Sequence, residues 1–105
     1  MKIKLTEGEN QFLIGFLENN ECGATTFEDL TYDNYSYQTV NDLRNIFTEL
    51  SNNQIGGYLS SLMNKGVILV EDDREDGLPD LYFVNDDFLN DCAKQFNTFD
   101  ELKLY

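Results

Sequence analysis

The sequence feature that most constrains the fold is a very short break between two amphipathic helical segments. Apolar residues recur at helical spacing from Val40 to Leu50, after Thr39, which can cap a helix, and again from Ile55 to Met63. The residues at the break, Ser51 and Asn52, are both of the type that caps a helix. Two helices joined in this way must turn sharply against each other and share one core.

The N-terminal part of the chain predicts one more helix and a long loop. Thr6 and Glu9 have the spacing of a capping box, so a helix should start at Glu7, and its apolar residues recur at helical spacing. From residue 22 to residue 38 the apolar residues show no regular helical or strand periodicity. We expect a loop there, with at most a short turn near residues 27–30.

The C-terminal part predicts a hairpin and a last helix. Gly66 stands where a left-handed residue would end the preceding helix. The runs Val67–Val70 and Leu81–Val84 are β-branched and aromatic, and a polar segment separates them. Asn85 or Asp86 can cap the last helix, and a box at Thr98–Glu101 can start one more turn. Helices plus a hairpin around one core predict the α+β class.

Composition supports one domain over residues 1–105. Of the 105 residues, 41% are apolar or aromatic, which suffices for a core without disulfides, so Cys22 and Cys92 are expected to be reduced thiols. The chain has no His, so histidine metal sites and Ser-His or Cys-His catalysis are excluded. No apolar run is long enough to span a membrane. We therefore expect a cytoplasmic protein without catalytic residues, cofactor or metal.

The order of these elements resembles the winged helix-turn-helix family. The similarity covers residues 7–96 approximately and is best in SNNQIGGYLSSLMNKGVILVEDDREDGLPDLYFVND, where the step Lys65-Gly66-Val67 joins helix to hairpin. The resemblance implies a three-helix core, a β-hairpin wing and a C-terminal helix. It also implies that the segment 52–65 is the recognition helix and that the hairpin 67–84 is the wing.

One function that the resemblance implies is a dimeric DNA-binding transcriptional regulator. A recognition helix needs side chains that reach base edges and cations that hold phosphates, and Asn and Gln can read adenine. Lys65 is the single cation on this helix. The candidate DNA contacts are Asn53, Gln54, Ser61, Asn64 and Lys65.

Charge argues against that function. The chain has seven Lys and Arg against twenty Asp and Glu, a net charge of −13, which repels phosphate-rich partners. Six of these acids crowd the hairpin around Arg74. They are Glu71, Asp72, Asp73, Glu75, Asp76 and Asp80. We therefore expect these six residues to bind a basic surface of a partner protein.

In charge and size the chain resembles phage-encoded nucleic-acid mimics, which implies an inhibitor of a nucleic-acid-binding protein. The first hypothesis is thus a non-catalytic, acidic protein-binding module on a winged-helix scaffold. An adaptor whose winged helix docks to another protein is a third option, and a homodimer stays open.

Tyrosines give a second set of candidate partner contacts. Tyr joined with Ser, Asn and Asp, as in YDNYSYQ, is typical of contact loops, because Tyr offers a large amphipathic area at low entropic cost. The candidates are Tyr32, Tyr35, Tyr37 and Tyr58. The alternative is that these rings cover the core and keep their hydroxyl groups in water.

Overall fold

A computed structural model describes residues 2–33, 37–71 and 77–105, and of residues 31–33 it describes the backbone alone. The described residues form five α-helices, a two-stranded antiparallel sheet and a short 3₁₀ turn, in the predicted α+β class. In chain order these are α1 (Glu7–Glu18), α2 (Phe27–Asp33), α3 (Val40–Ile46), α4 (Asn52–Asn64), β1 (Ile68–Glu71), β2 (Leu81–Val84), α5 (Asp86–Gln95) and the 3₁₀ turn (Phe99–Glu101).

The helix starts lie where the sequence predicts them, because each is fixed by a local cap. Thr6, Thr39 and Ser51 each accept a hydrogen bond from the backbone N–H three residues on, and each start completes a capping box. Asn85 caps α5 in a similar way. Gly66 ends α4 with φ of +76°, a left-handed conformation that favours glycine.

The prediction of a loop over residues 22–38 is wrong in part, since α2 forms there. Phe27 and Leu30 are buried, and α2 packs against α5. The Phe27 ring lies 5.1 Å from the Phe99 ring, edge to face, and 6.2 Å from Phe96. This short helix owes its stability to distant partners and not to its own periodicity.

The hairpin forms as predicted and is extended by a segment from before α3. Ile68 pairs with Val84, and Leu69 pairs with Phe83. Gln38 and Tyr82 exchange backbone hydrogen bonds of 2.9 and 2.8 Å on the other edge of β2. The sheet is thereby tied to the chain ahead of α3.

Buried polar side chains hold distant segments to the core. Asn10 donates to the Leu102 carbonyl at 2.9 Å and accepts from the Leu104 N–H at 3.0 Å. Gln38 donates to the Phe16 carbonyl at 2.7 Å. No buried side-chain nitrogen or oxygen of the described residues lacks a hydrogen-bond partner.

The C-terminal segment runs back across the N-terminus. The Leu5 N–H donates to the Leu104 carbonyl at 2.7 Å. Thr98 precedes the 3₁₀ turn but makes no side-chain cap bond, and Glu101 accepts instead from the Asn97 N–H at 3.2 Å. None of the helices in the described ranges is long and apolar enough to cross a bilayer.

Leu59 of α4 provides a test of this packing. It is 3% exposed within the core, so Leu59→Ala should leave a cavity and lower the free energy of unfolding by about 2 to 5 kcal/mol. Denaturant titration measures the change, with the exposed neighbour Ser60→Ala as control. A loss within about 0.5 kcal/mol at Leu59 would contradict the burial of this face of α4 in the core.

Candidate interaction surface

The first site is a cluster of polar groups around the Glu9 carboxylate, which is buried between α1 and α4. One oxygen, Oε1, accepts from the Thr6 N–H at 2.7 Å and from Lys65 Nζ at 2.6 Å. The other, Oε2, accepts from the Ser61 hydroxyl. Lys65 Nζ also donates to the Lys4 carbonyl at 3.1 Å. The last turn of α4 is therefore bound to the first turn of α1 through one carboxylate.

The electrostatics of this cluster favour the ionised form of Glu9. Burial alone raises the pKa of a carboxyl group, because it penalises the charge. Hydrogen bonds from Lys65, Ser61 and Thr6 outweigh that effect and lower the pKa of Glu9 to about 2. The carboxylate therefore remains charged in the folded protein at neutral pH.

In the structure, three of the five candidate DNA contacts form hydrogen bonds with other residues of the protein. Lys65 and Ser61 bind Glu9, and the Gln54 carboxamide oxygen accepts from the Ser51 N–H at 2.8 Å in the cap of α4. The remaining two, Asn53 and Asn64, are exposed. Lys65, which follows the last residue of α4, is thus half-buried in an ion pair with Glu9.

Exposed acids outnumber exposed cations in the described part of the chain, fourteen to five. The acids are Glu7, Glu18, Glu21, Glu28, Asp29, Asp42, Glu49, Glu71, Asp80, Asp86, Asp87, Asp91, Asp100 and Glu101. The cations are Lys2, Lys4, Arg44, Lys94 and Lys103. A surface of this kind attracts cationic partners over a Debye length of about 8 Å at physiological salt.

Of the six predicted acidic contacts of the hairpin, the structure describes two. Glu71 closes β1, Asp80 precedes β2, and both side chains are exposed. The other four predicted contacts, Asp72, Asp73, Glu75 and Asp76, lie outside the described residues.

The candidate tyrosines occupy different environments. Tyr37 is exposed, and its ring centroid lies 5.1 Å from that of Phe83. Tyr58 is half-buried and stacks on Phe12 at 5.1 Å. Its hydroxyl lies over Gly8, where a Cβ atom would come within 2.5 Å of it. Tyr35 and the side chain of Tyr32 lie outside the described residues.

The hairpin exposes apolar residues that are not among the predicted contacts. Leu69 is 39% exposed, and Leu81 and Phe83 are half-buried. The sequence contains a signal for these exposed apolar residues, because both strands are continuous apolar runs, ILV and LYFV. In a hairpin with one solvent-exposed face, apolar and polar residues would alternate along each strand.

A cleft near the 3₁₀ turn contains a pair of carboxyl groups. It has a volume of about 210 Å³ and is lined in part by Glu18, Thr25, Thr98 and Asp100. Burial raises the pKa of Glu18, and a hydrogen bond and charge repulsion from Asp100 raise it further. In the described ranges no group of three or more acidic or cysteine side chains is arranged to hold a metal ion.

The two cysteines are free thiols. Cys92 is buried in α5, and burial, with a smaller contribution from the Asp91 carboxylate, raises the pKa of its thiol to about 12. A thiol with so little thiolate is a poor nucleophile. Cys22 is exposed and donates to the Asn20 side-chain oxygen at 3.0 Å.

Comparison with protein-family models, with curated proteins and with solved structures gave no match.

The Glu9 cluster generates a pH-dependent prediction. Glu9→Gln should lower the free energy of unfolding by about 2 to 3 kcal/mol at pH 7, because the charge-assisted hydrogen bonds from Lys65 and Ser61 are weakened. The folded-state pKa of Glu9, about 2, lies below its usual value of 4.5. Its contribution is therefore complete above pH 4.5 and is lost as the pH falls toward 2.

Urea titration of both proteins between pH 7 and pH 2 measures this difference. The gap between wild type and Glu9→Gln should stay constant down to about pH 5 and then shrink. Glu7→Gln, in the same turn but exposed, is the control and should change stability by less than about 1 kcal/mol. A Glu9 gap that is absent, or that does not change with pH, would show that these donors do not hold the carboxylate in its charged form.

Proposed function

We propose that this protein is a non-catalytic module that binds a basic surface of another protein. The observation that carries the proposal is the ion pair between Lys65 and Glu9, because it engages the one cation of the segment 52–65, which a DNA-binding helix would use to hold phosphate. The exposed carboxylates then dominate the surface that a partner meets. The negative electrostatic field of these carboxylates attracts a basic partner protein and does not attract nucleic acid.

The scaffold that we propose is a winged helix-turn-helix. In support, α3 and α4 are joined by a short turn and contact each other, and α1 also contacts α4. The hairpin β1–β2 follows α4 directly, in the position that a wing takes. In this scaffold α4 has the place of the recognition helix, and the acidic hairpin has the place of the wing.

For the partner we propose a nucleic-acid-binding protein. Such proteins carry clustered Lys and Arg on the surface that holds phosphates, and a dense array of carboxylates is complementary to that surface. Occupying it would exclude nucleic acid, so the activity proposed is inhibition by mimicry. We propose no cofactor and place the interaction in the cytoplasm.

The second candidate function, a DNA-binding regulator that acts as a dimer, is favoured by one specific observation. The stretch from Leu50 to Val70 contains no acidic residue, so the solvent face of α4 is free of the carboxylates that cover the rest of the chain. On that face Asn53 and Asn64 are exposed. A dimer would add the contact area that a single small protomer lacks.

A shift assay with random-sequence duplex at low salt separates the two candidates. Under the proposed function the wild type should not bind duplex at all, since repulsion is strongest when screening is weakest. Under the second candidate it should bind in a salt-sensitive way, and Asn53→Ala and Asn64→Ala should weaken that binding. Tight duplex binding would favour the DNA-binding regulator over the protein-binding module.

A pull-down from the source cell after nuclease treatment tests the proposed function itself. A basic protein should be retained, and a contact bridged by nucleic acid should be lost. The association rate of the retained protein is then measured with a variant in which Asp72, Asp73, Glu75 and Asp76 are changed to Asn or Gln. The rate should fall by about tenfold or more, because steering by charge is removed.

The control variant removes the same number of exposed carboxylates outside the hairpin, at Glu7, Glu49, Asp86 and Asp91. Both variants have the same net charge, so a larger loss in the hairpin variant assigns the contact to the hairpin. Its thermal stability should equal or exceed that of the wild type, since local repulsion is relieved. Unchanged association at low ionic strength would mean that the hairpin acids serve solubility.

A further inference from the structure

The two faces of the hairpin differ in what they contact. Alternate residues of a strand point to opposite sides of a sheet, so Ile68, Val70, Tyr82 and Val84 share one face and Leu69, Glu71, Leu81 and Phe83 share the other. On the first face, Ile68 and Val84 belong to the core and Tyr82 packs against it. Among the described residues, no apolar side chain of the second face belongs to that cluster.

Tyr37 enlarges this second face. The backbone exchange between Gln38 and Tyr82 places Tyr37 beside Phe83, with the two ring centroids 5.1 Å apart. Tyr37 keeps 45% of its surface exposed and Leu69 keeps 39%. We call the surface formed by Tyr37, Leu69, Leu81 and Phe83 the outer hairpin face.

An apolar surface in this position requires an explanation. The free face of an antiparallel hairpin is ordinarily polar, because it meets water. Contiguous apolar surface of a small protein, rimmed by polar groups, is typical of an interaction site. These side chains are not part of the core cluster, to which the same strands contribute Ile68 and Val84.

The charges around the outer hairpin face limit what can cover it. Glu71 lies on this side of β1, opposite Leu81, and is exposed. Asp80, which precedes β2, is exposed as well. The described residues of the hairpin contain no Lys or Arg. A second copy of the chain would bring a further charge of −13 to the same acidic rim, which disfavours self-association at this face.

We infer that the outer hairpin face binds a cationic, amphipathic segment of the partner protein, with the partner's apolar side chains on Tyr37, Leu69 and Phe83 and its Lys or Arg side chains toward Glu71. The inference rests on the proposed function and adds to it the chemistry of the contact. Charge steers the encounter, and the apolar contact slows dissociation.

Two synthetic peptides serve as probes. One is an amphipathic helix of about 18 residues with Leu on one face and Lys on the other, and its control has Ser in place of each Leu. Both carry the same charge, so the difference between their affinities reports the apolar contact. Affinity is measured by titration calorimetry at two ionic strengths.

Tyr37→Ser and Tyr105→Ser form a matched pair, because both residues are 45% exposed and Tyr105 lies at the C-terminus, outside the hairpin. The wild type should bind the Leu/Lys peptide about tenfold more tightly than the Ser/Lys peptide. Tyr37→Ser should lose most of that advantage, and Tyr105→Ser should keep it. Leu69→Thr, which retains strand propensity, should behave like Tyr37→Ser, and thermal melts confirm that each variant folds.

The outcomes separate this inference from the proposed function. Equal affinity of the wild type for both peptides, with no effect of Tyr37→Ser, would overturn the inference and leave charge-driven binding intact. Absence of binding to either peptide at low ionic strength would overturn both. Sedimentation showing a wild-type dimer that Leu69→Thr dissociates would assign the face to a second copy of the chain, and would also overturn the inference.

Discussion

Glu9 occupies the contact on which the arrangement of the helices depends. A carboxylate removed from water is costly unless donors surround it, and in this protein a backbone N–H, a hydroxyl and an ammonium group do so. Two of those donors belong to the C-terminal end of α4. Because Gly66 and β1 follow α4 directly, the same contact also sets where the hairpin leaves the helical core.

That contact has a consequence for function. Lys65 is the one cation available to α4, and a Lys that already neutralises a buried carboxylate holds phosphate poorly. On the described surface, exposed acids then outnumber exposed cations, and the hairpin adds exposed apolar side chains. These two features act at different distances. Carboxylates attract a basic partner through solvent, and apolar side chains contribute once water has been excluded.

The candidate site was partly predictable from the sequence. The acids were evident from composition, but their relation to the apolar outer hairpin face depends on strand register, which places Leu69 opposite Phe83. The sequence predicts Glu9 as part of the capping box of α1. It did not predict that Glu9 also binds Lys65, fifty-six residues away. A signal for it existed, since Glu9 precedes Phe12 and Leu13 at helical spacing and so lies on the apolar face of α1.

The sequence by itself determined the helix starts at Thr6, Thr39 and Ser51, the end of α4 at Gly66 and the two strands, because caps, left-handed glycines and apolar runs act within a few residues. Only the tertiary structure decided that α2 forms on α5 and that Gln38 joins the sheet. It also decided that Lys65 turns inward to Glu9. These outcomes depend on contacts between residues far apart in the chain, whose free energy exceeds local preference.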